Sequence, residues 1–348
     1  MVVKRILIVI ISVLVIAAVI VVIVNSGTLY NGPPSDHFDG KQFFSKEPSH
    51  TFMDELKWFW NMKPIEWPEW IEDPKQPPPV KRVRNDNLRV TYINHATVLI
   101  QTENLNILAD PIWSYRAGPV SWIGAKRVRA PGISMQDLPP IDIILISHDH
   151  YDHLDIPTLR QLNCYHKPVI LAGLGMKKFL GSKGFSNVIE MDWWQKYKYH
   201  HSTLSITFVP ARHDSGRNPL ATNRTLWGGF VIETSSGTIY FAGDTAYGEF
   251  VNQIKKHFTN FRLALLPLGS YEKRWIMKSQ HMNPDDAVKL HTLLQVKQSV
   301  GMHFGSFLEH PEQAINAHEK DLMIALKKYN VPESEFWILP FGEGRYVQ

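Results

Sequence analysis

The chain has 348 residues, with 37 Lys and Arg against 33 Asp and Glu, for a formal net charge of +4. With 44% hydrophobic and 20% charged residues it has a globular composition, which excludes intrinsic disorder, collagen and a coiled coil, and the charge is too mild to argue for a nucleic-acid partner. A single cysteine, Cys164, excludes an intramolecular disulfide and a thiolate zinc site, so the 16 histidines and where they fall decide the reading.

Lys4 and Arg5 precede an apolar run, Ile6–Val24, broken only by Ser12. About 20 apolar residues cross a bilayer core. The run is rich in β-branched residues and has no polar face, which argues against a buried core helix. Residues 1–27 are read as a single-pass N-terminal membrane anchor, with a signal peptide cleaved near Asn25–Gly27 as the alternative. The positive charge on the N-terminal flank places residues 28–348 on the non-cytoplasmic side.

Residues 28–87 read as a linker and an aromatic-rich extension. The stretch 27–50 is polar with Gly32, Pro33 and Pro34, and is expected to link. Phe52, Trp58, Phe59, Trp60, Trp67 and Trp70 follow. This aromatic density suits a membrane interface, and equally suits rings packed on the catalytic domain. Pro74 and Pro77–Pro79 form a stiff spacer.

From Leu88 short strands alternate with helices. Strands are expected at Leu88–Ile93, Val98–Gln101, Asn106–Ala109, Asp142–Ile146, Pro168–Leu171, Leu204–Phe208, Gly229–Glu233, Thr238–Phe241, Leu263–Leu266 and Val300–His303. Helices are expected at Ile156–Leu162, Met176–Gly181, Tyr247–Phe258, Asn283–Leu294 and Pro311–Tyr329. The pattern predicts an α/β fold over residues 88–348, with two sheets covered outside by helices.

The apolar strand ending at Ile146 runs into Ser147 and then His148-Asp149-His150-Tyr151-Asp152-His153. His148 and His150, two apart in an extended turn, can face one metal. Asp152 and His153, expected to begin the next helix, can reach a second. Imidazole with carboxylate suits Zn²⁺ or a similar cation. Such density behind a buried strand is a site signature.

This run, followed by Arg212-His213, Gly243-Asp244 and His303, resembles the metallo-β-lactamase superfamily. The resemblance implies an αββα sandwich and two divalent metal ions, zinc above others. His148, His150 and His213 would hold the first, Asp152, His153 and His303 the second, and Asp244 would bridge them. Asn94-His95-Ala96-Thr97, Asp110-Pro111, Asp192-Trp193-Trp194, Leu226-Trp227-Gly228, Tyr271–Trp275, Gln280-His281 and Gly342–Tyr346 narrow it to the N-acyl-phosphatidylethanolamine phospholipase D family. That family carries Asn where this chain has Asp149, a position that is not a ligand.

The resemblance implies a phospholipid substrate at a membrane, cleaved by a metal-bridged hydroxide to phosphatidic acid and an N-acylethanolamine. Asp152 and His281 would be catalytic. Another lipid phosphodiester, a lactone or a nucleotide is the alternative substrate class, and a non-catalytic membrane-tethered binding module is a third reading. His281 also reads as a helix-entry residue. Asp110 would orient a ligand imidazole, or shape the turn before Pro111. Tyr151 and His95 are expected to line the cleft, with core packing the fuller reading for His95. His37, His50, His200 and His201 are expected to be solvated, and Cys164 to be a buried small residue on a helix.

Overall fold

The computed structural model describes Ser12 and residues 29–199, 202–217, 222–308 and 310–348. Apart from Ser12, the expected anchor at residues 6–24 lies outside the described residues, as do the expected solvated His200 and His201. Among the described residues no helix is long and apolar enough to cross a membrane.

Strands β1 (Leu88–Asn94), β2 (Thr97–Thr102) and β3 (Leu105–Ala109) form an antiparallel meander. A separate hairpin, β4 (Arg116–Val120) and β5 (Ile123–Lys126), follows. β6 (Ile143–Ile146), β7 (Val169–Gly173) and β8 (Val188–Met191) extend the first sheet in parallel. The second sheet begins with β9 (Lys196–Lys198), β10 (Ser205–Val209), β11 (Gly229–Thr234) and β12 (Gly237–Phe241), all antiparallel. β13 (Phe261–Pro267), β14 (Gln298–Met302) and β15 (Phe336–Trp337) complete it in parallel. With β16 (Gly344–Val347) on the edge of β1, the orders are β16-β1-β2-β3-β6-β7-β8 and β15-β14-β13-β12-β11-β10-β9, seven strands each.

The period-two alternation of strands decides the layering. Ile143 and Leu145 of β6 join a core shared with Phe208, Phe230 and Phe241 of the second sheet. Ile144 and Ile146 point the other way, onto Leu159 and Leu162 of α2 (Ile156–His166) and Met176 and Leu180 of α3 (Met176–Gly181). Both faces are covered, so β6 reads as an unbroken apolar run. Helices α4 (Phe250–His257), α6 (Pro284–Leu294) and α7 (Ala317–Tyr329) put Ile254, Val288, Leu290 and Leu326 into the larger core. Among the described residues the other α-helices are α1 (Phe52–Asn61) and α5 (Arg274–Met277). The α4 and α7 starts fall later than expected, at Phe250 and Ala317.

The stretch expected as a linker is packed instead: Phe38 and Phe43 are 2% and 0% exposed in the larger core. A polar average hides two aromatic anchors. The aromatic extension divides. Trp58 Nε1 donates to Glu312 Oε2 at 2.8 Å with its ring stacked on His310, and Trp67 Nε1 donates to the Gln313 carbonyl at 2.7 Å. Phe59 and Trp60 remain 61% and 80% exposed. Cys164, expected to be buried, is exposed. It stands two residues, roughly 200° around the helix, from the buried Leu162. His37, expected to be solvated, is buried, with Nδ1 2.7 Å from Asp36 and Nε2 2.8 Å from Asp192.

Candidate metal centre

The candidate residues stand at strand ends. His148 follows β6, Asp110 follows β3, His213 follows β10, Asp244 follows β12 and His303 immediately follows β14. Asp152 and His153 do not begin α2. They occupy a turn closed by the His153 and Leu154 amides on the His150 carbonyl, and the helix starts only at Ile156. Glycine permits the convergence of the two sheets. A Cβ on Gly243 would lie 2.5 Å from the Ser147 Cβ, so the strand end before Asp244 meets the one before His148. His95, Asp110 and His303 adopt positive φ of 45°, 36° and 61°. Such backbone at non-glycine residues clusters where a site dictates the geometry.

Two groups of side chains meet in a cleft of about 460 Å³. In the first, His150 Nδ1 lies 2.9 Å from His148 Nε2 and 3.3 Å from His213 Nε2. In the second, Asp152 Oδ2 lies 2.9 Å from His153 Nε2, 3.4 Å from His303 Nε2 and 2.8 Å from His95 Nε2. Asp244 Oδ2 stands between the groups, 3.2 Å from His153 Nε2, 2.9 Å from His303 Nε2 and 3.9 Å from His213 Nε2.

These residues fit divalent cations. Ligands on a tetrahedral zinc at 2.0–2.1 Å lie about 3.3 Å apart, inside the spacings found here. Asp244 Oδ1 is buried without a hydrogen-bond partner, although buried polar atoms are ordinarily satisfied. Pointing it at an ion accounts for that. Burial holds the His148 imidazole well below its usual proton affinity, and does the same more mildly at His213. A neutral ring is the form that coordinates. Burial alone would push the Asp152 and Asp244 carboxyls up. The imidazoles of His153 and His303 outweigh it and hold both well below the usual carboxylate range.

Supporting residues fix these rings. Asp110, fully buried, accepts from the Ser147 amide at 2.8 Å and stands 2.7 Å from His153 Nδ1. The carboxylate thus contacts the His153 ring as well as the backbone beside its own turn. His213 Nδ1 is 3.0 Å from the Gln280 carbonyl. His281 precedes α6, whose N-cap is Asn283, and its Nδ1 lies 3.8 Å from Asp244 Oδ2. Tyr151 lines the cleft with its hydroxyl donating to the Arg217 carbonyl. Asp149 points away from the cations' place, accepting from the Gly216 amide at 2.6 Å.

Three further histidines stand at or beside the cleft. His95, expected to line the cleft with core packing the fuller reading, is buried and contacts Asp152 from the β1–β2 turn, a two-residue hairpin turn where Asn or Gly is usual. His50, expected to be solvated, lines the cleft and bonds Glu55 and Ser279. His310, buried and pushed down to about 4 by that burial, also lines it. Neither of the last two sits in a recognisable spacing.

A family description, the beta-lactamase superfamily domain, matches residues 105–304. The chain is 35% identical over 229 residues to an N-acyl-phosphatidylethanolamine-hydrolyzing phospholipase D of Caenorhabditis elegans, a match covering 63% of this chain and 64% of that protein. It is likewise 35% identical over 240 residues to the mitochondrial N-acyl-phosphatidylethanolamine-hydrolyzing phospholipase D of Saccharomyces cerevisiae, covering 68% of this chain and 51% of that one. The matches thus span between half and just under two thirds of these relatives' lengths. The structure described as a possible metal-dependent hydrolase from Veillonella parvula superposes with a TM-score of 0.61 at 19% identity, covering 74% of this chain and 99% of that one, which bears on the fold alone.

Proposed function

The chain belongs to the beta-lactamase superfamily, and on that premise we propose that it is a zinc-dependent phosphodiesterase that cleaves N-acyl-phosphatidylethanolamine in the manner of a phospholipase D. The observation that carries this reading is the meeting of two His/Asp groups at Asp244, in a chain similar to two phospholipases of that description. His148, His150 and His213 would hold one cation; Asp152, His153 and His303 the other; Asp244 both. Bound there, zinc would lower the pKa of a coordinated water to about 7 and neutralise charge on the phosphate oxygens.

The chain's own residues supply orientation and proton handling. Asp110 holds His153 in the tautomer that presents Nε2 to the cleft, and the Gln280 carbonyl does the same for His213. Asp152 stands 2.8 Å from His95, 2.9 Å from His153 and 3.4 Å from His303, so it can accept a hydrogen bond from the attacking water. His281, kept neutral by burial, offers a donor to a phosphate or leaving-group oxygen. Breaking the P–O bond on the ethanolamine side yields phosphatidic acid and an N-acylethanolamine. Residues 6–24 would anchor the chain in the bilayer with the catalytic region outside the cytoplasm, which raises the local lipid concentration.

Purified full-length protein, loaded with zinc and given defined lipid vesicles, tests the reading by mass spectrometry of the products. Equal amounts of phosphatidic acid and N-acylethanolamine support it. Cleavage at an acyl ester, or of a lactone but no phosphodiester, would overturn it.

A further inference from the structure

The β4–β5 hairpin belongs to neither sheet. It borders the metal cleft through Ala117 and Ala125. Its other side lines an adjoining groove of about 720 Å³, which shares Tyr151 with the cleft. At the tip Trp122 is 73% exposed, between Val120 and Ile123, also exposed. Trp122 lines neither cavity, so neither packing nor the cleft accounts for a large apolar ring at that position.

The backbone holds the tip out. A Cβ on Gly118 would lie 1.8 Å from the Ile123 carbonyl oxygen, and Gly124 has a φ of +110°. The strands are therefore pressed together, with a register shift between Ala117 and Val120. Bulges of this kind re-aim a hairpin. Residues 111–136 contain Arg116, Lys126, Arg127 and Arg129 and no carboxylate; of these Arg127 is buried, Lys126 lies 3.5 Å from Glu69 and Arg129 3.1 Å from Asp73. The groove beneath is lined by Arg160, Lys183 and Arg217 and by one carboxylate, Asp155, so cations are in excess there.

We propose that the β4–β5 hairpin docks on an anionic lipid surface, with Trp122 at the headgroup level and the cleft mouth facing the bilayer. An indole flanked by small and aliphatic residues suits the interface. The surrounding cations suit anionic headgroups, whose attraction fades within a Debye length. Docking there would bring a lipid phosphate to the metal cleft without its leaving the bilayer. The inference rests on the lipid-hydrolase reading for its purpose, although the docking can be measured without turnover.

The test uses the full chain with Cys164→Ser and Trp122→Cys, labelled with an environment-sensitive fluorophore and mixed with phosphatidylcholine vesicles with or without phosphatidylglycerol. Emission should rise severalfold with phosphatidylglycerol vesicles, fall when lipid-borne nitroxide is included, and weaken in high salt. The same label on the native Cys164 should stay aqueous. A label at Ser121→Cys repeats the reading if the first variant folds poorly. An unchanged 122 label overturns the proposal. So does one shielded before lipid is added, which would mean a lid over the cleft or a contact with a second copy. Trp122→Glu should cut activity on vesicular lipid by about tenfold and leave a soluble phosphodiester within about twofold. Equal loss on both substrates would overturn docking. Absence of any phosphodiesterase activity would overturn the lipid-hydrolase reading and leave the fluorescence result to decide the docking.

Discussion

Asp110 Oδ2 lies 2.7 Å from His153 Nδ1, both side chains fully buried. The carboxylate accepts the Nδ1–H and so leaves Nε2, with its lone pair, facing Asp152 and Asp244. Burial pushes the Asp110 carboxyl up, opposed by His153 and Ser147. A carboxylate–imidazole hydrogen bond this deep is sensitive to loss of one partner. Asp110→Asn should keep the fold and weaken metal binding by about 10–100-fold. Chelator competition measures it, and wild-type affinity in the variant would remove Asp110 from its assigned role.

Asp244→Asn should lower turnover by about 100-fold or more, because one carboxylate is shared by both ligand groups. Asp149→Asn should stay within a few-fold of wild type, since an amide oxygen can still accept from the Gly216 amide. Steady-state rates on a soluble phosphodiester compare them. The reverse order of damage would contradict the ligand assignment.

The aromatic extension should separate in a melting experiment. Trp58→Ala removes a hydrogen bond to Glu312 and a stacked contact with His310, together about 1–3 kcal/mol, and should lower Tm by about 2–6 °C. Trp60→Ala, at an 80% exposed position, should leave Tm unchanged. Equal shifts would mean that Trp60 is packed in solution.

His37 gives a pH test remote from the metal centre. Burial disfavours its charged ring, but Asp192 and Asp36 outweigh that and raise its proton affinity above the ordinary value. Stability from a raised group is full below the unfolded pKa and is lost as pH rises through the folded one. His37→Asn should therefore lower Tm more at about pH 5.5 than at about pH 8.5. An equal loss at both values would mean the ring is held neutral.

Much of the fold was legible because its strands are short apolar runs. Each expected strand overlaps an observed one, from Leu88–Asn94 to Gln298–Met302. The strands that were missed, such as Lys196–Lys198 and Phe336–Trp337, are brief edge pieces, where pattern says little. The run His148–His153 announced the centre, because spacing within one turn is visible in sequence. His310 and His50 were not legible. They reach the cleft through tertiary contacts with Trp58 and Ser279, and no local period encodes such contacts. The burial of Phe38 and Phe43 was masked by polar neighbours for the same reason.

The central claim is attack of water at phosphorus by a metal-dependent site. Hydrolysis of N-acyl-phosphatidylethanolamine in ¹⁸O-labelled water, with zinc-loaded and metal-stripped full-length protein side by side, tests it most directly. The account predicts one ¹⁸O in the phosphatidic acid, none in the N-acylethanolamine, and turnover only when metal is restored. Label in the N-acylethanolamine, or undiminished turnover after stripping, would contradict it.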